Sequence, residues 1–236
     1  KKSHIPNSIF FDIEKFSNPN SNLPHMIPDK KEFEKLISDI GISNNDNIIV
    51  YDQSGFVSST RVWFIFNVFG HKKISVLNGG FNEWKKKKLR TTSEILSKDQ
   101  KKFSAIENMK LIVSKKQIKI LIKNPSDKIQ IVDCRPSKRF KGIESEPRKG
   151  LLRGKIPGSI NIPFNLIHNK NGLLLDRISI EELLYKRYNL KEKSVICSCG
   201  SGITACNIIF ALKVISHDKV YLYDGSWAEW GKISNE

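Results

Sequence analysis

The 236-residue chain carries 40 Lys plus Arg against 24 Asp plus Glu, a formal net charge of +16, and is 39% hydrophobic. That is the profile of a soluble globular protein with one large or two small cores. No apolar run approaches the about 20 residues a membrane span needs. The excess charge is scattered Lys among many Asn and Ile, and its densest run, 85–88, reads as a solvated surface. With no nucleic-acid motif and no regular aromatic interleaving, compositional bias is preferred over nucleic-acid binding. The charge would still draw small anions toward a site.

Residues 4–12 read as a turn feeding a short strand, and 18–28, rich in Asn, Pro and Ser, as loop. Over 29–40 the apolar residues Phe33, Leu36, Ile37 and Ile40 have helical spacing, with Asp29 as cap and Gly41 as stop. A buried strand is expected at 47–51, a polar loop at 52–59 and an apolar helix at 60–69. A strand at 74–77 then turns through Asn78-Gly79-Gly80-Phe81 into Trp84. A polar, Lys-rich connector is expected at 93–108. The first strand beyond it is expected at 129–133.

The second half then repeats the first. Lys155-Ile156-Pro157-Gly158-Ser159-Ile160 echoes His4-Ile5-Pro6-Asn7-Ser8-Ile9. Residues 179–188 form a helix like 29–40, and Val195-Ile196-Cys197 matches Ile48-Ile49-Val50. The 220–223 strand matches 74–77, and Asp224-Gly225-Ser226-Trp227 matches Asn78-Gly79-Gly80-Phe81. The expected fold is therefore α/β: two tandem units, each a mainly parallel sheet flanked by helices. The units are placed at 1–92 and 109–236, with 93–108 as linker. The first unit has no counterpart of the 129–133 strand, so its start is expected upstream of Lys1.

The chemistry concentrates at 194–211. A short strand turns through Cys199-Gly200-Ser201-Gly202 into a helix beginning at Thr204. Such a turn gathers backbone N–H groups at the positive end of a helix, which favours a thiolate. Cys199 reads as a nucleophile in an anion cradle, or, more plainly, as a buried cysteine before an ordinary turn. The four cysteines, 134, 197, 199 and 206, form neither a disulfide framework nor a zinc set. Reduced thiols in the cytoplasm are expected, with the mitochondrion as the alternative. No metal is expected.

The repeat, the Ile-Pro-Gly-Ser-Ile turn, the loop 199–205 and the closing Gly225-Ser226-Trp227-Ala228-Glu229-Trp230 resemble two-domain rhodanese-type sulfurtransferases, above all 3-mercaptopyruvate sulfurtransferases. The resemblance implies an inactive first domain with Asp52 at the cysteine position. It implies that Cys199 takes sulfur from 3-mercaptopyruvate as a persulfide, releases pyruvate, and passes the sulfur to a thiol such as reduced thioredoxin, or to cyanide. No cofactor is called for. The persulfide would sit among the N–H groups of Gly200, Ser201, Gly202, Ile203 and Thr204. Arg139 and Arg148 would clamp the substrate carboxylate and ketone; by residue type alone they read as surface arginines. Ser201, His25 and Glu14 would relay a proton. The family has Asp where Glu14 stands, and Asp12 is the nearby alternative acid. Arg135 reads as a structural ion-pair partner.

Three rival readings remain. A phosphatase on this type of loop needs Arg six residues past the cysteine, where Ala205 stands. A thiosulfate sulfurtransferase would carry basic residues at 200 and 201. An idle rhodanese-like binding module would follow if the short first unit failed to seat His25.

Overall fold

The computed structural model describes residues 3–53, 55–95 and 98–233. Ser54 of the polar loop and Leu96 and Ser97 of the connector lie outside that range. Among the described residues the short strand expected within 4–12 is not formed; the chain turns at 13–16, with Phe16 N–H donating to Asp12 O at 2.9 Å. His4 pairs with Thr92 in an antiparallel bridge.

Helix α1 (Lys30–Asp39) starts where Asp29 caps the N–H of Glu32 and buries Phe33, Leu36 and Ile37. An Asp at that position satisfies an otherwise orphaned donor. Gly41, at φ 76°, takes the chain out of the helix in a conformation that costs glycine little. Strands β1 (Ile48–Val50) and β2 (Ile74–Val76) pair in parallel, Ile48 opposite Ile74. Ile49, expected inside, is 68% exposed: only one face of this two-stranded sheet is covered. Between them runs α2 (Ser59–Val68), apolar nearly all round and accordingly buried. Helix α3 (Gly80–Lys86) follows the Gly79 turn.

The connector is polar in composition yet anchored. Phe103 and Ala105 are buried, and Lys101, Ile106 and Asn108 donate backbone bonds to Ser38, Phe69 and Val68.

The second half opens on a strand that sequence reading missed, β3 (Ile112–Val113), only two residues long. Helix α4 (Lys115–Lys123) has a complete capping box between Ser114 and Gln117. Then come β4 (Ile129–Asp133), α5 (Ser137–Phe140), β5 (Ile160–Asn161) and α6 (Arg177–Glu181). Helix α6 continues into a π-helical turn over Glu182–Arg187, so the expected 179–188 helix is irregular rather than straight. Strand β6 (Ser194–Ser198), α7 (Ala205–Val214), β7 (Val220–Tyr223) and α8 (Ser226–Trp230) complete the chain.

The second sheet is all parallel in the order β3-β7-β6-β4-β5. Its central strand β6 is an apolar run because helices cover both faces. The two halves share one continuous core, in which α2 packs on α7 and Trp63 meets Phe210 edge-on at 5.0 Å.

Candidate active site

Strand β6 ends at Ser198 and α7 begins at Ala205, so Cys199 opens the turn between them. The N–H groups of Trp227 and Ala228 donate to the carbonyls of Cys199 and Gly200, both at 2.9 Å. Under the turn lies Ser226, buried and held at φ 51°. Its hydroxyl accepts from the N–H of Cys199 and of Gly202, each at 3.1 Å, and donates to Tyr223 O at 2.9 Å. Sequence reading gave Ser226 no role. The trace it left is in the repeat: the first copy has Gly80, at φ 55°, where the second has this serine. Ser226→Ala is expected to lower stability by about 1–3 kcal/mol in urea unfolding, because two buried donors lose their acceptor. Ser226→Gly is expected to cost less, since glycine takes that φ without strain.

The Gly202 N–H therefore points inward, which narrows the expected cradle. Among the described residues no acceptor is found for the N–H groups of Gly200, Ser201, Ile203 and Thr204. Gly202 sits at φ 76°, and a Cβ on it would stand 2.8 Å from Asp224 Oδ1. Thr204 precedes α7 and makes no side-chain cap. Cys199 itself is 2% exposed, which is more enclosed than a reactive thiol's position predicts.

His25 comes from the other half of the molecule. Its Nδ1 lies 2.8 Å from Ser201 Oγ and its Nε2 2.6 Å from Glu14 Oε1. A carboxylate only accepts, so Nε2 carries a proton; in the tautomer with that single proton, Nδ1 accepts from the Ser201 hydroxyl. Glu14, not Asp12, reaches the ring; Asp12 Oδ1 instead accepts from the Glu14 N–H at 3.1 Å. The extra methylene of Glu14 gives the reach from a turn that Asp12 holds closed.

Arg139 Nε donates to Glu146 Oε2 at 3.1 Å. Its Nη2 lies 3.1 Å from where a Cβ on Gly200 would stand, so glycine there leaves room for the guanidinium over the turn. Arg148 is exposed and lines, with Glu14, Lys15 and His25, a cleft of about 570 Å³. Thus Arg139 is at the turn and Arg148 is on the rim. Arg135 is the structural partner expected: it is 1% exposed, pairs with Asp133 at 2.6 Å and Glu146 at 2.7 Å, and stacks 4.2 Å from the Trp227 ring.

The matching turn of the first half is built differently. Asp52 Oδ2 accepts from the N–H groups of Ser58 and Ser59 at 2.8 and 3.0 Å, at the start of α2. An internal carboxylate therefore takes two of the N–H groups at that helix end. All four cysteines are free and buried. Burial pushes the thiols of Cys134 and Cys206 well above their ordinary range, and Cys206 Sγ donates to Gly202 O at 3.3 Å. Neither is suited to supply a thiolate. Among the described residues no group of three or more His, Cys, Asp or Glu is placed to hold a metal, and no helix is long and apolar enough to cross a membrane.

Residues 1–87 and 115–233 match the rhodanese-like domain family. Over 228 residues the chain is 36% identical to the 3-mercaptopyruvate sulfurtransferase of Escherichia coli K12, spanning 97% of this chain and 80% of that protein. It is 34% identical over 255 residues to thiosulfate/3-mercaptopyruvate sulfurtransferase 2 of Arabidopsis thaliana, spanning 99% and 74%. The crystal structure of SseA from Escherichia coli superposes with a TM-score of 0.85 at 32% identity, over 95% of this chain and 83% of that one.

Two tandem α/β units with parallel sheets define a rhodanese-type architecture. The chain belongs to the rhodanese family, and within it to the two-domain sulfurtransferases.

Proposed function

We propose that the protein moves sulfur from 3-mercaptopyruvate to a thiol acceptor through a persulfide on Cys199. The relatives named for that substrate support the choice of donor. The observation that carries the mechanism is the chain Glu14–His25–Ser201, which brings a base from one half to the turn of Cys199 in the other.

The Cys199 thiolate attacks the substrate's sulfur and the C–S bond breaks. Its electron pair leaves on carbon as the enolate of pyruvate. The proton released from the substrate thiol ends on that carbon, so the sum is a persulfide anion and pyruvate. Ser201, hydrogen-bonded to His25, is the group placed to pass that proton. Arg139 and Arg148 are the cations for the carboxylate and ketone, one over the turn and one at the cleft mouth. The N–H groups of Gly200, Ser201, Ile203 and Thr204 hold the persulfide charge. An acceptor thiolate, of which reduced thioredoxin is one form, or cyanide then takes the outer sulfur. The buried position of Cys199 suits a donor as small as a three-carbon acid.

In this reading 109–236 is the catalytic unit, and 1–92 supplies His25 and Glu14 while Asp52 leaves it without a nucleophile. Four free thiols support a reducing compartment, the cytoplasm or else the mitochondrion. Incubating the protein with 3-mercaptopyruvate is expected to add the mass of one sulfur atom and release one equivalent of pyruvate. No adduct and no pyruvate would favour the idle binding module. The Arabidopsis relative's name motivates thiosulfate as the second donor, and steady-state rates with the two donors separate them.

A further inference from the structure

We propose that Arg61 and Asp224 are positioning residues for sulfur transfer: their buried ion pair sets the approach of His25 to Ser201 across the two halves. The proposal rests on the reading of Glu14, His25 and Ser201 as the proton relay.

Arg61 lies on α2 and Asp224 directly after β7, so the pair joins the first half to the second. Both are buried, with Arg61 Nη1 2.8 Å from Asp224 Oδ1. Burial alone would lower the guanidinium, yet Asp224 beside it holds it above its ordinary value, so it stays charged. Besides a contact between Arg61 and the Cys206 side chain, the pair bonds to backbone within and beside the relay. Arg61 Nη2 donates to His25 O, and Arg61 Nη1 to Gly202 O at 3.3 Å. Asp224 Oδ2 accepts from the Ile27 N–H at 2.8 Å.

One fork of donors thus grips the residue that bears the base and the neighbour of the residue that bears the hydroxyl. His25 sits at φ 60°, a conformation uncommon for a residue with a side chain. Such a backbone persists where its surroundings over-determine it, and here bonds on His25 and Ile27 do so. Gly202 is likewise fitted to the pair, since a Cβ there would lie 3.2 Å from Arg61 Nη1. A lysine in place of Arg61 could neutralise Asp224, but one ammonium lacks the planar fork that reaches three partners.

The test is Arg61→Lys, made both in the parent protein and in Ser201→Ala. In the parent, kcat for pyruvate release from 3-mercaptopyruvate is expected to fall about ten- to a hundredfold, with KM changing far less. On Ser201→Ala the same substitution is expected to cost less than about twofold more, because the contact being positioned is already gone. An equal fold-loss in both backgrounds would mean a structural role only and overturns the proposal. Arg61→Met combined with Asp224→Asn leaves no buried charge behind and serves should the lysine variant fail to fold. The ¹⁵N NMR spectrum of the His25 ring gives a readout independent of turnover. The parent is expected to show a single tautomer protonated at Nε2, and the Arg61 variants a mixture; an unchanged ring spectrum overturns the proposal. Should the parent release no pyruvate, the proposed function fails, while the ring spectrum still decides the positioning.

Discussion

Cys199→Ser is expected to abolish persulfide formation and pyruvate release while the fold stands. A serine hydroxyl stays protonated where a thiol ionises, and it is the far weaker nucleophile toward sulfur. The other thiols offer no substitute: Cys134, Cys197 and Cys206 are all fully buried, and burial suppresses the ionisation of Cys134 and Cys206. The structural cost is small by comparison. The side chain is 2% exposed and a hydroxyl replaces a small apolar group, about 1–2 kcal/mol. Intact-mass measurement after incubation with 3-mercaptopyruvate, beside a thermal melt, checks both parts. A sulfur adduct on the serine variant would move the nucleophile elsewhere and end the reading of this turn.

Arg135→Met is expected to be the most destabilising single change near the site. Arg135 holds Asp133 and Glu146, whose side chains are 1% and 2% exposed. It also donates to Gly154 O at 2.7 Å and stacks on Trp227. Removing one member of a buried ionic set strands the others, typically for about 3–5 kcal/mol. For a chain of this length that is a drop of about 10 °C in melting midpoint. Asp133→Asn added to Arg135→Met is expected to recover part of the loss, since one stranded charge is then gone. A midpoint unchanged in the single variant would show that water reaches these carboxylates.

Much of this was legible from the chain. The strand–turn–helix at Cys199, the caps at Asp29 and the repeat are local patterns, and local patterns leave periodic or compositional traces. Glu14, His25 and Ser201 were found through a family likeness and not through spacing. Nothing near His25 in sequence marks it as the proposed base, and its partner Ser201 lies in the other half. Arg61 and Asp224 were missed for the same reason: an ion pair between distant segments writes no local signal, and Arg61 sits in what reads as an apolar helix. The β3 strand was missed because two residues are too few to show alternation. The apolar strand at Ile49 predicts burial, but which faces of a sheet are covered is decided by the elements packed on it.

The first-half turn, closed by Asp52, bears on how duplicated folds diverge. There the acid serves as a built-in counter-ion, so the start of α2 needs nothing from outside to balance its dipole. Replacing Asp52 by cysteine would therefore take away the acceptor of the Ser58 and Ser59 N–H groups before it could supply a second nucleophile.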